Sequence, residues 1–163
     1  MSSLTQSVEI DAAKDKVWEV LADFGTVSRW APTITASAIV GDASEGVGAV
    51  RTCDHVKMGT LEETIVSWTE GEAYAYDVTA GLPFPMKALR NHWGVHEQGS
   101  RTKVILHQEF STKLGPLGSL MESMMLNRMM RKEMGLALAG LKYHTETGLL
   151  ATTEVDLPLE NVS

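Results

Sequence analysis

From residue 34 to residue 112 the chain reads as six strand-like runs separated by very short breaks, and a single long helical segment follows. The runs are "ITASAIVG", "GAVRTCD", "GTLEETIVSW", "AYAYDVTA", "MKALRNHWGVHE" and "RTKVILHQEFS". The breaks "GDASEGVG", "HVKMG", "TEGE" and "QGSR" are too short to hold a crossover helix, so consecutive strands must pair antiparallel. Upstream, "TQSVEI" reads as a first strand, and "DAAKDKVWEVLADFG" sets Val17, Trp18, Leu21 and Phe24 on one helical face. Asp11 is the expected N-cap of that helix and Gly25 its stop. "VSRWAPTI" gives a second helical turn, ended by Pro32. Beyond "KLGPLGS" the helical pattern runs over about residues 117–145. The expected fold class is α+β: a curved antiparallel sheet of about seven strands, two short helices after the first strand, and a long C-terminal helix. A sheet bent around one helix cannot close its core everywhere with side chains, so a cavity between them is expected.

Bulk properties narrow the function. A chain of 163 residues is the size of one domain. It divides into a domain over 1–146 and a flexible acidic tail over 147–163, "LLATTEVDLPLENVS" at its heart. The net charge of -7 disfavours nucleic acid, which needs a basic patch. No apolar run is long enough to span a membrane, and the N-terminal stretch lacks a basic and apolar leader. Cys53 stands alone, which excludes an internal disulfide and fits a reducing cytoplasm. No HExxH, CxxC, P-loop or G-x-S-x-G pattern occurs, and no cofactor is implied.

Strand parity sorts the side chains. If "QGSR" closes a hairpin, Val95 faces Val104, Trp93 faces Leu106 and Asn91 faces Gln108, an apolar inner face with one amide pair. His96 with Lys103, His92 with His107, and Arg90 with Glu109 fall on the outer, solvated face. A metal at His92 and His107, with Glu109 or His96 as third ligand, competes there with plain solvation; no metal is expected. The same counting opposes Cys53 to Leu61, Arg51 to Glu63 and Ala49 to Ile65, then Tyr76 to Ile65 and Val78 to Glu63. Arg51, Glu63 and Tyr76 thus share the inner face with hydrophobic neighbours. A buried acid and guanidinium must pair or meet bound water, because an unpaired buried charge is very costly. Either they fix the sheet, or they orient a polar group of a ligand.

The helix carries six of the nine methionines. Leu120, Met124, Asn127, Met130, Met134, Leu138 and Leu141 form one stripe, expected to floor the cavity. Met suits the wall of a pocket that must fit an irregular ligand, and equally suits ordinary core filling. Met125, Met129, Leu136 and Tyr143 form a second stripe on the far side, which suggests a homodimer face. In "AGLPFPMK", Pro83 and Pro85 stiffen a loop that presents Leu82, Phe84 and Met86, either as a lid over the cavity or as a plug of its end.

"VEIDAAKDKVWEVLADFGTVSRWAPTI", "EGVGAVRT", "LEETIVSWTEGEAYAYDV" and the terminal helix together resemble the polyketide cyclase/dehydrase branch of the START/Bet v 1-like (SRPBCC) superfamily. The resemblance covers about residues 5–145 and implies a helix-grip fold. It implies either a carrier of a polyketide-, lipid- or aromatic-like molecule, or an aromatase/cyclase or dehydratase. For a carrier, Trp93, Tyr76, Phe84, Met86, Leu106, Met124, Met130 and Met134 are the expected contacts, with Arg51, Glu63, Asn91, Gln108 and Asn127 as the polar, orienting ones. For an enzyme, Glu63 moves a proton, Arg51 stabilises an enolate-like oxygen and Tyr76 orients the substrate.

Overall fold

A computed structural model describes residues 1–113 and 120–163, the side chains of 120–123 excepted. Seven strands form one antiparallel sheet: β1 (Ser2–Ile10), β2 (Ile34–Val40), β3 (Val50–His55), β4 (Gly59–Thr69), β5 (Ala73–Ala80), β6 (Met86–Gln98) and β7 (Arg101–Thr112). Their spatial order is β1-β7-β6-β5-β4-β3-β2, a meander from β2 to β7 with β1 added beside β7. Helix α1 (Lys14–Ala22) and a 3-10 segment (Phe24–Arg29) join β1 to β2, and α2 (Leu120–Thr147) follows β7. The sheet wraps α2 in the helix-grip arrangement.

The pairings expected from parity are present, except that Ala49 lies just before β3 and meets Ile65 through a single backbone bond to its carbonyl rather than as a strand pair. Asn91 opposes Gln108, Trp93 opposes Leu106 and Val95 opposes Val104. Arg51 opposes Glu63 and Cys53 opposes Leu61, while Tyr76 opposes Ile65 and Val78 opposes Glu63. The β4–β5 hairpin reaches that register by an unforeseen route. Its turn pairs Thr69 with Ala73, one residue away from simple counting, and a shift between Ile65 and Ser67 restores the step. Such a bulge adds one residue to one strand and bends the sheet there.

Several local expectations are corrected. The N-cap of α1 is Ala13, without a side-chain cap; the Asp11 amide instead donates to Glu146 Oε1 at 2.7 Å. Helix α1 stops at Ala22, two residues before Phe24 opens the 3-10 segment. Gly25 lies inside that segment, where a Cβ would come within 2.8 Å of Ile39 Cγ1, so its role is close approach to β2 rather than termination. Nor is the tail free. The Ala151 amide donates to the Arg29 carbonyl, Ser7 and Ser163 exchange backbone bonds of 2.7 and 2.9 Å, and Val162 bridges Val8. Ala151 and Leu157 are buried. Acidic composition concealed these few apolar anchors.

The core lies between the inner sheet face and α2. Met130, Met134, Leu138 and Leu141 are buried, each side chain contributing about 1.5–3 kcal/mol by leaving water. Gly140 lets the helix approach: a Cβ there would fall on the Trp30 carbonyl. Met124 departs from the expected stripe, being 65% exposed, and Asn127 is half-buried; the side chain of Leu120 lies outside the described residues. Glu133 already meets the β3–β4 turn through Lys57, and Met124 lies about 13 Å nearer the N-terminus of the helix. On the far stripe Leu136 and Tyr143 are half-buried. The tail runs beside the helix here, with Leu159 within 3.9 Å of a Cβ at Gly135. Met125 and Met129 remain exposed.

Candidate functional site

A cavity of about 90 Å³ lies between the inner sheet face and α2. Its deep polar group comes from adjacent positions on three strands. Arg51 Nε donates to Glu63 Oε2 at 2.6 Å and Nη1 to the Phe24 carbonyl at 2.8 Å. The guanidinium carbon lies 3.9 Å from the Phe24 ring centroid and 4.9 Å from that of Tyr76, which spreads part of its charge over two aromatic faces. Arg51 is 2% exposed, Glu63 6% and Tyr76 7%. Burial, the largest single influence, disfavours the Arg51 charge, but Glu63 together with Tyr76, Cys53 and Tyr74 outweighs it and holds the guanidinium above its ordinary range. As a unit the pair is neutral. Cys53 donates its thiol to the same Glu63 Oε2 at 3.6 Å. Burial, and then the Glu63 charge, pushes that thiol up to about 12, so it is a protonated donor and not a nucleophile. Burial, reinforced by Glu63, also holds the Tyr76 phenol well above its usual 10.0. Glu63 Oε1 and the Tyr76 hydroxyl take no partner among the described residues.

Beside this group, Gln108 Nε2 donates to Asn91 Oδ1 at 2.8 Å, both side chains buried. Trp30 and Trp93 meet edge to face at 5.4 Å. Trp30 Nε1, Trp93 Nε1 and Gln108 Oε1 are buried without hydrogen-bond partners among the described residues. Leu61, Leu89, Leu106, Met130 and Met134 complete the apolar wall.

A second polar group borders the cavity at the β3–β4 turn. His55 Nδ1 accepts the backbone amides of Lys57 at 3.1 Å and Met58 at 3.2 Å. The other ring nitrogen, Nε2, therefore carries the proton and lies 3.3 Å from Glu133 Oε2. That contact has the distance of a bond but not its alignment, since Oε2 lacks a well-directed donor. Lys57 Nζ donates to Glu133 Oε1 at 3.3 Å. Burial opposes ionisation of Glu133, but the proximity of His55 and the bond and charge of Lys57 together prevail and hold its carboxyl below the ordinary 4.5.

Of the residues expected at the site, the cavity gathers Arg51, Glu63, Tyr76, Asn91, Trp93, Leu106, Gln108, Met130 and Met134. Four stand elsewhere. Phe84 is 75% exposed at the tip of the β5–β6 loop and so plugs nothing, because Gly81, at φ +86, holds that loop against Thr60 and Leu61 at the sheet's end. Met86 is buried in the core beside the cavity. Met124 and Asn127 precede the part of α2 that faces the hollow. Parity could have found His55, which follows Arg51 and Cys53 on the inner face of β3. Trp30 and Glu133 come from a turn and a helix edge, where no strand alternation places them. On the outer face Thr5 Oγ1 lies 2.7 Å from His107 Nδ1, and Glu109 Oε2 3.2 Å from His92 Nε2. Among the described residues no three His, Cys, Asp or Glu side chains group to hold a metal ion, and no helix is long and apolar enough to cross a membrane.

A curved seven-stranded sheet gripping a C-terminal helix over a cavity defines the START/Bet v 1-like class. Residues 1–146 match the family model described as polyketide cyclase / dehydrase and lipid transport, and the chain belongs to that family. A search of curated proteins finds no match. Among solved structures the chain is similar to the Zhui aromatase/cyclase from Streptomyces sp. R1128, at 20% identity and TM-score 0.74, over 89% of this chain and 93% of that one. It is also similar to a START superfamily protein from Mycobacterium smegmatis, at 14% identity and TM-score 0.73, over 88% and 97%. A Thermobifida fusca protein matches at 23% identity and TM-score 0.74, over 89% and 93%. At such identities the likeness is one of fold.

Proposed function

We propose that this protein binds a compact, uncharged, ring-bearing apolar molecule in the cavity between sheet and helix. The observation that carries this reading is a neutral buried ion pair, Arg51–Glu63, beside an apolar hollow whose lining residues Trp30, Trp93 and Gln108 hold two indole N–H groups and an amide oxygen without partners among the described residues. A charged ligand would meet no uncompensated countercharge at that pair, whereas a hydroxyl or carbonyl group could satisfy the orphaned donors and acceptor. Size points the same way. About 90 Å³ is well below the roughly 300–1,000 Å³ of pockets for drug-sized ligands, so the resting cavity suits one or two rings. Larger polyketide- or lipid-like molecules require Met58, Met130 and Met134, all flexible wall residues, to move aside.

The family also supports an enzymatic reading, in which Glu63 Oε1 accepts a proton while Arg51 and Tyr76 steady the developing oxyanion. Against it, Glu63 Oε2 already receives both Arg51 and Cys53, so one of the two carboxylate oxygens is committed to holding the sheet together.

The test is titration with naphthol-class ligands, followed by tryptophan fluorescence and thermal melting. Binding should quench Trp30 and Trp93 and raise the melting temperature. Leu106→Trp should abolish both effects, and Phe84→Ser should preserve them. Equal responses in the two variants would exclude the cavity as the site. Turnover of a reactive polyketone that disappears in Glu63→Gln, with binding retained, would favour the enzyme.

A further inference from the structure

The end of the molecule where the cavity meets the β3–β4 turn carries a surface unlike the rest of this acidic chain. The β3–β4 turn, the β5–β6 loop and the end of β7 lie together there, α2 (Leu120–Thr147) follows β7, and it meets the β3–β4 turn at Glu133. Gly81 sits on Thr60 and Leu61, the Lys113 amide donates to the Pro85 carbonyl, and Lys57 reaches Glu133. On this end Phe84 is 75% exposed, Met125 72% and Met124 65%, with Met129 also exposed. On α2 the residues Met124, Met125, Arg128, Met129 and Lys132 share one solvent-facing side, because positions three and four apart are neighbours on a helix. Lys87 and Lys113 are exposed beside the Phe84 loop. Of the acids nearby, Glu133 pairs with the Lys57 cation, while Asp54 and Glu62 accept from the neutral hydroxyls of Thr60 and Thr79 and are outnumbered by Lys57, Lys87, Lys113, Arg128 and Lys132.

We propose that this end docks onto an anionic lipid surface. Methionines alternating with Arg128 and Lys132 on an uncovered helix face, and an exposed phenylalanine between Lys87 and Lys113, match the amphipathic, basic pattern that lies in a membrane interface. Charge complementarity selects the partner. A chain of net charge -7 is repelled from anionic bilayers in every orientation except one that turns a local basic patch toward them. The tail meets the helix at Gly135, through Leu159, while Met124, Met125, Arg128, Met129 and Lys132 are exposed. Docking would place His55, Met58 and Glu133, which border the cavity, beside the lipid.

Co-sedimentation with phosphatidylcholine vesicles, with and without phosphatidylserine, tests this in the full chain. Binding to the anionic vesicles at low ionic strength is expected, with release by about 0.5 M salt. The double variant Arg128→Glu/Lys132→Glu should bind at least about tenfold more weakly, and Phe84→Asp/Met125→Asp should fail to bind. None of these residues lines the cavity, so naphthol quenching and melting temperature should not change, and failure here is separable from failure of the cavity reading. Absence of sedimentation, equal binding to phosphatidylcholine alone, or unaltered binding by both double variants would overturn the proposal. So would a dimer in light scattering that Phe84→Asp/Met125→Asp dissolves, because the face would then belong to a second copy.

Discussion

Arg51 Nε donates to Glu63 Oε2 at 2.6 Å in an interior where the two residues are 2% and 6% exposed. Removing one partner leaves the other charge buried and uncompensated. Glu63→Leu or Arg51→Met alone should cost about 3–5 kcal/mol in urea unfolding. The double variant should recover most of that loss, because apolar replacement of a whole buried pair is often neutral. Additive losses would mean that the pair does not interact as described.

Cys53 should be chemically silent. Its thiol is buried and pushed up to about 12. Alkylation by iodoacetamide at pH 8 should therefore be at least about a hundredfold slower in the folded protein than in urea. Comparable rates would show the β3–β4 sheet opening at Cys53.

The Glu133 carboxyl is held below 4.5 by His55 and Lys57. A depressed carboxyl contributes stability that is complete above the ordinary value and lost as pH falls through the lowered one. Melting temperature should thus carry a Glu133-dependent loss confined to pH below about 4.5, absent from Glu133→Gln. A change of about 1 kcal/mol corresponds to roughly 3 °C for a chain of this size. Identical acid profiles would remove the ion pair from the account.

Gly140→Ala reverses the usual helix rule. Alanine normally stabilises a helix interior by about 1 kcal/mol over glycine. Here its Cβ would fall on the Trp30 carbonyl and within 2.8 Å of Pro32 Cδ. Chemical denaturation should show a net loss of about 1–3 kcal/mol; a gain would mean that α2 sits farther from the Trp30 turn.

The antiparallel order and nearly every inner-face residue were legible in the sequence because alternation in β6 and β7 is strict and the "QGSR" turn leaves one sensible pairing. Arg51 and Glu63 followed from the same counting through the β3–β4 hairpin, and the placement of Tyr76 survived the β4–β5 bulge because the turn slipped by a compensating residue. Helix periodicity was less informative. It marks a stripe through Met124 and Met130 alike, but cannot tell where the sheet beneath that stripe ends. Phe84 was misplaced because hydrophobicity does not say whether a stiff loop folds inward. Trp30 and Glu133 reach the cavity through tertiary packing, for which no local signal exists. The tail's anchors, Ala151 and Leu157, are too few to interrupt an acidic composition.

The most direct test of the cavity as a binding site is methyl NMR of the methionines during titration with a naphthol-class ligand. Met130 and Met134 border the hollow, whereas Met124 and Met125 face solvent. The account predicts that the Met130 and Met134 methyl resonances shift saturably while those of Met124 and Met125 stay in place. Shifts confined to Met124 and Met125, or no shift at any methionine as ligand approaches its solubility limit, would contradict it.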